Sequence, residues 1–243
     1  MSSIKDIMVY YCDKCKIPVL VEEQKTEGTC PKCNQNIKYI STDARPVYPE
    51  ERLMLEASIG EPLKFIKDDV WNIKGSKYIV NGKVLNVKVK DIVSNDPNKI
   101  RKVIKEYSSK NTYEYFNKHM KKFVSLNKYR LSLITDEAFS YVQDVAEDYD
   151  FDSMFVSFSG GKDSTVVSDI VMKSLASSDI IHIFGDTTLE LNSTYEYVKA
   201  YKKAHPNLLM RTVRNNEKDF VELTINNFGP PSRVMRWCCT IFK

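Results

Sequence analysis

The stretch Phe155-Val156-Ser157-Phe158-Ser159-Gly160-Gly161-Lys162-Asp163-Ser164-Thr165 constrains this chain more than any other. A short apolar run ends in Ser-Gly-Gly, and an amphipathic segment with Val166, Val167, Ile170, Val171 and Leu175 follows at once. That order predicts a buried strand, a tight turn and a helix. Such a turn suits anions: two glycines let the backbone approach a ligand closely, and the helix start offers unpaired N–H groups and positive dipole. Ser159, Ser164 and Thr165 add hydroxyl donors, Lys162 a point charge for phosphate oxygens, and Asp163 a carboxylate for Mg²⁺. Taken alone the pattern also fits a helix start in any α/β domain, and neither G-x-x-x-x-G-K-[ST] nor G-x-G-x-x-G is present.

The six cysteines fall into two groups, and the first is Cys12-x-x-Cys15 with Cys30-x-x-Cys33. Paired knuckles at this spacing predict a tetrahedral Zn²⁺ site with room for a small hairpin between them. The N-terminus lacks the apolar core of a signal peptide and no apolar run approaches the ~20 residues of a membrane span, so a cytoplasmic address is expected. Thiols stay reduced there, which disfavours disulfides. A closed four-cysteine site leaves no open position for chemistry, so its expected role is structural.

The net charge of +4 does not by itself imply a nucleic-acid partner, but it is unevenly spread. Between Asn98 and Arg130 there are ten Lys and Arg against two acids; between Leu131 and Asp152 there are seven acids and no base. Two helices of opposite charge attract each other or present solvated faces, with nucleic-acid binding by the basic one as the alternative.

In chain order, residues 1–45 read as a zinc ribbon and 46–110 as a connector with a small antiparallel β unit. Residues 111–243 read as a nucleotide-binding domain with two leading helices. A short helix is expected around Glu50–Glu56, followed by strands at 70–73, 78–80 and 84–89, the last two joined by Asn81-Gly82. Trp71 and Tyr78 read as core aromatics. Asn111 is the expected cap of a helix carrying Phe116, Met120, Phe123 and Val124, in which His119 reads as a surface residue; a second helix is expected from Thr135. From Met154 strands and helices alternate: 154–158, 164–175, 180–184, 191–204, 208–213 and 218–227. This predicts an α/β, Rossmann-like parallel sheet, with His182 a satisfied core histidine. Ligands in such sheets bind beyond the carboxyl ends of the strands, at Ser157–Ser164, Gly185–Thr188 and Arg214–Asn216.

The Ser-Gly-Gly-Lys-Asp-Ser run resembles the pyrophosphate loop of the PP-loop ATP pyrophosphatase superfamily. Phe184-Gly185-Asp186-Thr187-Thr188-Leu189-Glu190-Leu191-Asn192-Ser193-Thr194-Tyr195 is similar to the Asp-Thr-Gly…Phe-Pro-Glu-Thr-Tyr stretch of the phosphoadenosine phosphosulfate (PAPS) reductase family. Arg236-Trp237-Cys238-Cys239 through Lys243 looks like its Arg-x-Cys-Cys/Thr…Lys segment. Thr188 stands where that family usually has Gly, and Ser193 where it has Glu. The resemblance implies a PP-loop domain binding ATP or a related adenine nucleotide with Mg²⁺. It places Ser157, Ser159, Gly160, Gly161, Lys162, Asp163 and Ser164 around the phosphates and Asp186 with Thr187 near the metal or ribose. Arg233 and Arg236 then serve as anion clamps, with Lys162, Asp163 and Arg236 as the catalytic set. In iron–sulfur members a Cys-Cys pair contributes to a [4Fe-4S] cluster completed by a later Cys-x-x-Cys. That motif is absent from these residues, so a [4Fe-4S] cluster is kept only as the lesser alternative.

Lys162-Asp163 favours ATP and α–β phosphate cleavage; the alternatives are sulfonucleotide reduction, tRNA thiolation, or an interaction module built on the ribbon and basic helix. A three-strand parallel sheet would leave the apolar Phe155–Phe158 strand uncovered at its edge. The expectation is therefore a fragment of a longer protein, or one completed by another copy or a partner subunit.

Overall fold

The computed structural model describes residues 7–22, 28–93 and 95–242; Met1 to Asp6, read for a leader, and Lys243, read for a family motif, lie outside the described residues. The chain divides into two units, Met1–Ser132 and Leu133–Lys243. The sequence reading sets boundaries at 45 and 110, whereas compactness divides the chain after Ser132, because the first of the two leading helices packs on what precedes it.

In the first unit β1 (Met8–Cys12), β2 (Ile17–Val21) and β3 (Lys38–Ser41) form an antiparallel sheet of order β2-β1-β3. A four-stranded antiparallel sheet follows, of order β4-β5-β6-β7: β4 (Ala44–Pro46), β5 (Val70–Ile73), β6 (Lys77–Val80) and β7 (Lys83–Lys88). The Asn81-Gly82 hairpin joins β6 to β7 with φ of +50° and +79°, the double left-handed turn whose twist matches paired strands. Helix α1 (Pro49–Ser58) starts on proline and buries Glu56, whose carboxylate accepts the N–H groups of Leu63 at 2.8 Å and Phe65 at 2.7 Å. Val47, Leu55, Phe65, Val70 and Tyr78 form the core beneath it. Helices α2 (Val89–Val93), α3 (Pro97–Tyr107) and α4 (Glu114–Leu126) complete the unit. The sequence reading did not anticipate α3, although Asp96-Pro97 followed by Ile100, Val103, Ile104 and Tyr107 is a capped amphipathic pattern.

Three contacts explain why α4 belongs here. Phe123 packs on Trp71 with ring centroids 5.0 Å apart, and Asn127, just past the helix, accepts Leu20 N–H at 2.8 Å while donating to Pro18 O at 3.1 Å. His119 faces Asp69 at 2.9 Å and is only 7% exposed, which corrects its reading as a surface residue: its apolar neighbours in sequence turn it inward, onto a buried carboxylate. Asn111 does not cap α4. It bonds Arg52 at 2.5 Å and Pro49 O at 2.8 Å instead, tying the loop to α1. Helix α5 (Lys128–Ala146) begins seven residues before the expected Thr135.

In the second unit β8 (Phe155–Ser157), β9 (Ile181–Asp186) and β10 (Met210–Arg214) form a parallel sheet of order β10-β9-β8. Helices α6 (Lys162–Ser174) and α7 (Asn192–Ala204) are the crossovers; α8 (Phe220–Leu223) opens into a wide turn at Thr224–Phe228, and α9 (Trp237–Ile241) follows. The architecture is the α/β arrangement the alternating pattern implies, except that the expected 218–227 helix is interrupted. Phe158, Phe184, Val198, Tyr201, Leu208 and Met210 form the core. β8 is an edge, with Phe155 exposed beside an apolar groove of ≈ 350 Å³ lined by Tyr141, Val145, Tyr149 and Leu175.

His182 is fully buried in a satisfied chain of hydrogen bonds. Its Nδ1 lies 2.9 Å from Ile180 O, which can only accept, so Nδ1 carries the proton. Nε2 then accepts from Ser168 Oγ at 2.8 Å, and that oxygen receives the Tyr201 hydroxyl at 2.9 Å. Burial lowers the His182 pKa.

Two predictions follow from these cores. Gly82→Ala puts a Cβ into the Tyr11 ring at a left-handed position, whereas Gly75→Ala at φ +63° meets open space. Urea unfolding should show a loss of about 1 kcal/mol for Gly75→Ala and of about 3 kcal/mol or more for Gly82→Ala, the difference being overpacking; equal losses would refute the close approach. For His182, the unfolded state binds a proton that the folded state refuses. Stability is therefore flat above the ordinary imidazole pKa of about 6.5 and falls below it, by at most about 1.4 kcal/mol per pH unit. The ring resonances of His182 in the folded protein should stay neutral past that pH, and half-titration at or above it would contradict the hydrogen-bond chain.

Candidate functional site

Past Ser157 the chain turns through Ser159 and Gly160 into α6. Gly160 has φ +72°, and a Cβ there would lie 3.1 Å from Val198 Cγ2 and 3.2 Å from Thr194 Cγ2 of α7. Glycine is thus required both by conformation and by space. Gly161, extended, gives α6 its first carbonyl, which accepts from Thr165 N at 3.1 Å, Ser164 Oγ at 3.1 Å and Thr165 Oγ1 at 2.8 Å. Ser159 Oγ donates to Ser164 Oγ at 3.2 Å. Because Thr165 Oγ1 spends its proton on Gly161, it receives the hydroxyl of Tyr197 at 2.9 Å. The first-turn N–H groups of Lys162, Asp163 and Ser164 have no helical carbonyl ahead of them, which leaves them for an anion. Lys162 Nζ and Asp163 Oδ1 pair at 2.6 Å with side chains 76% and 88% exposed. A pair so open to water is worth about 0–1 kcal/mol, so a phosphate and a cation can separate it at little cost.

β9 ends at Asp186, only 6% exposed. Its Oδ1 accepts Thr188 N–H at 2.8 Å and the Tyr195 hydroxyl at 2.6 Å, and Oδ2 lies 3.7 Å from the Arg214 guanidinium. The hydrogen bond to Asp186 and then burial push the Tyr195 hydroxyl up to about 12, so it stays a donor. Asp186 and Arg214 are register partners on adjacent parallel strands. Ser157, Asp186 and Arg214 therefore finish at one end of the sheet, where the sequence pattern places the ligand.

Other expected residues are arranged differently. Thr187 Oγ1 donates to Glu190 at 2.9 Å, within its own turn. Arg236 precedes α9 and donates to Cys239 Sγ at 3.7 Å; Arg233 is exposed, with no hydrogen bond to another site residue among those described. Helix α9 is nevertheless seated beside the site. Trp237 stacks on Phe220 with centroids 5.0 Å apart and donates to Gly229 O at 3.1 Å, and Phe242 O would lie 3.5 Å from a Cβ on Gly185, at the end of β9. Tyr195 and Tyr197 are not among the expected site residues, and Arg214 is expected only as part of the loop after the third strand. The signal for Arg214 was its place after the third strand, and for Tyr195 its place in the motif that begins at Phe184.

The four remaining cysteines meet in the first unit. Lys16 N–H bonds Cys12 O at 2.8 Å and Asn34 N–H bonds Cys30 O at 2.9 Å, with φ of +52° and +55°, so both knuckles use one turn. The four Sγ atoms lie within 4.8 Å of one another, with Cys12–Cys33 at 3.5 Å and Cys15–Cys30 at 3.8 Å. A tetrahedron with metal–sulfur bonds of about 2.3 Å has edges of about 3.8 Å, so the donor set fits such an ion. Burial pushes the Cys15 thiol up to about 12 and raises Cys12 too, whereas a backbone hydrogen bond from Gln35 lowers Cys33 to about 7; the buried Cys12 and Cys15 thiolates need a cation beside them. Cys238 and Cys239 lie outside this group.

Residues 153–243 match the profile of the phosphoadenosine phosphosulfate reductase domain. Two uncharacterized proteins of Methanocaldococcus jannaschii are similar to the chain. One is 28% identical over 73% of this chain and 37% of its own length, the other 30% identical over 57% of this chain and 31% of its own. The chain thus spans about a third of the length of the curated relatives it matches. No solved structure matches it significantly. The Ser-Gly-Gly-Lys-Asp-Ser turn at the end of β8, the buried Asp186 at the end of β9 and the Cys-Cys helix beside them all lie within the residues that match that profile.

Proposed function

We propose that the domain binds an adenine nucleotide, ATP with Mg²⁺, on the turn between β8 and α6, and that it cleaves the α–β phosphate bond for nucleotide activation or sulfur metabolism. The observation that carries this reading is Gly160, held at φ +72° against α7 just before the open first turn of α6, which begins with the exposed Lys162. In the simplest case water attacks the α-phosphorus, the bond to the bridging oxygen breaks, and pyrophosphate leaves with the electron pair. The N–H groups of the first turn, the Ser159 and Ser164 hydroxyls and Lys162 hold the leaving charge, which is positioning and electrostatic neutralisation. Asp163, the carboxylate open to water, would hold Mg²⁺, which would supply charge neutralisation at the phosphates. Asp186 Oδ1 is already committed to Thr188 and Tyr195, so we assign it to shaping the pocket. The family match supports a second reading, a sulfonucleotide in place of ATP, with Arg236 on the sulfate.

For the four-cysteine centre we propose structural Zn²⁺, in keeping with a reducing, cytoplasmic setting. Among the described residues no helix is long and apolar enough to cross a membrane.

Lys162→Ala should weaken ATP·Mg²⁺ binding about tenfold or more by calorimetry and lower pyrophosphate release about 10²–10³-fold. Unchanged binding in this variant would sink the reading, and phosphoadenosine phosphosulfate displacing ATP at a tenth of its concentration would favour the second. Zinc analysis should return one ion per chain. Because structural zinc supplies about 10–16 kcal/mol of binding free energy, Cys30→Ser or strong chelation should unfold the β1–β3 sheet; a protein that melts unchanged after zinc removal would refute the assignment.

A further inference from the structure

The two units differ sharply in charge. Residues 1–132 carry 25 Lys and Arg against 16 Asp and Glu, a net +9, whereas residues 133–243 carry 11 against 16, a net −5. A third of the first unit's excess is on α3, which carries four cations and one acid, Glu106. Its Ile100, Val103, Ile104 and Tyr107 are partly buried, and the helix packs on α1. Its other faces present Lys99, Arg101, Lys102 and Lys105, all exposed and none with an ion pair among the described residues. These four are neighbours of one another at i+3 and i+4, which costs a few tenths of a kcal/mol per like pair in an isolated helix. A second juxtaposition lies on the adjoining sheet, where exposed Lys77 and Lys88 stand directly opposite each other on β6 and β7; α2 links that strand to α1 and so to α3. Like charges in that position destabilise a sheet. Glu106, four residues after Lys102, and the Asp91 carboxylate, which accepts the Lys88 N–H at 2.8 Å, offset these two sets of cations only in part.

We propose that this face of the first unit binds the phosphate backbone of nucleic acid without reading bases. Lysine is depleted in the cores of protein–protein interfaces, whereas protein–nucleic-acid interfaces are strongly positive and polar, which separates this surface from one built for an acidic protein. The four cations on α3 span about 9 Å of helix, and a duplex presents a phosphate every ~1.7 Å of axis, so all four can be engaged at once. Lys and Arg side chains meet phosphates as charges that carry no base information, so the interaction is sequence-independent and governed by counterion release.

The test is fluorescence anisotropy of the whole chain with a labelled 20-base-pair duplex, DNA and RNA in separate arms, between 50 and 200 mM KCl. With four phosphate contacts the slope of log K against log salt should be near −3.6, a weakening on the order of 100-fold across that range. The variant Lys99→Ala/Arg101→Ala/Lys102→Ala/Lys105→Ala should bind at least tenfold more weakly at 50 mM KCl and lose most of the slope, with its melting transition unchanged. Should that variant melt early, Lys102→Glu alone should still cut affinity severalfold. The proposal is overturned if neither duplex binds at 50 mM KCl, if the substitutions leave binding intact, or if poly-glutamate of equal charge competes as well as unlabelled duplex.

Discussion

The second unit depends on how closely the Gly160 turn approaches α7. With 3.1 Å between a would-be Cβ and Val198 Cγ2, the turn lies close against α7 where α6 begins. Everything chemical at that end of the domain is measured from there. The Thr165–Tyr197 hydrogen bond ties α6 to α7 one turn further along, and the Ser168–His182–Tyr201 chain joins both helices to β9 below it. The Ser-Gly-Gly turn is therefore the exposed end of a continuous, hydrogen-bonded seam between two helices and the central strand. Rigid placement of this kind is what catalysis by positioning requires.

The first unit solves a different problem. Its sheets are small, and several of its long-range ties are polar groups taken out of water: Glu56 on two backbone N–H groups, Asn127 on β2, Asp69 between Trp71 and His119. Each is costly unless its partners are in place, which makes the arrangement specific. A bound metal would add the remaining constraint, because the β1–β3 core is built largely from the cysteines themselves with Tyr10, Ile17, Val19 and Ile37.

How much of this was legible in the sequence follows from the range of each interaction. The Asn81-Gly82 hairpin, the two knuckles and the Ser-Gly-Gly turn are local, and each was placed within a residue or two. The parallel sheet followed from alternation. What failed was of long range: His119 reads as surface because its lysine neighbours are near in sequence, while the carboxylate it meets lies fifty residues away. Asn111 has the local pattern of a cap, yet α1 offered it better partners. Arg214 sits at the right strand end, but nothing within its own segment shows that Asp186 is its partner.

Thr188 shows how a departure from a family pattern can be absorbed. It has φ +67°, where glycine is the natural occupant and a β-branched residue is strained by about 1–3 kcal/mol. The strain is offset at both ends of the residue. Its N–H is held by Asp186 Oδ1 at 2.8 Å, and its hydroxyl accepts Phe220 N–H at 2.8 Å, satisfying a donor at the start of α8 that would otherwise lack a partner. Glycine could keep the first bond but not the second. Since Phe220 in turn stacks on Trp237 of the Cys-Cys helix, the threonine couples the carboxylate at the floor of the site to the segment that borders it. Here the side chain does work that backbone freedom alone could not, so the same turn is kept with a different residue and one more connection.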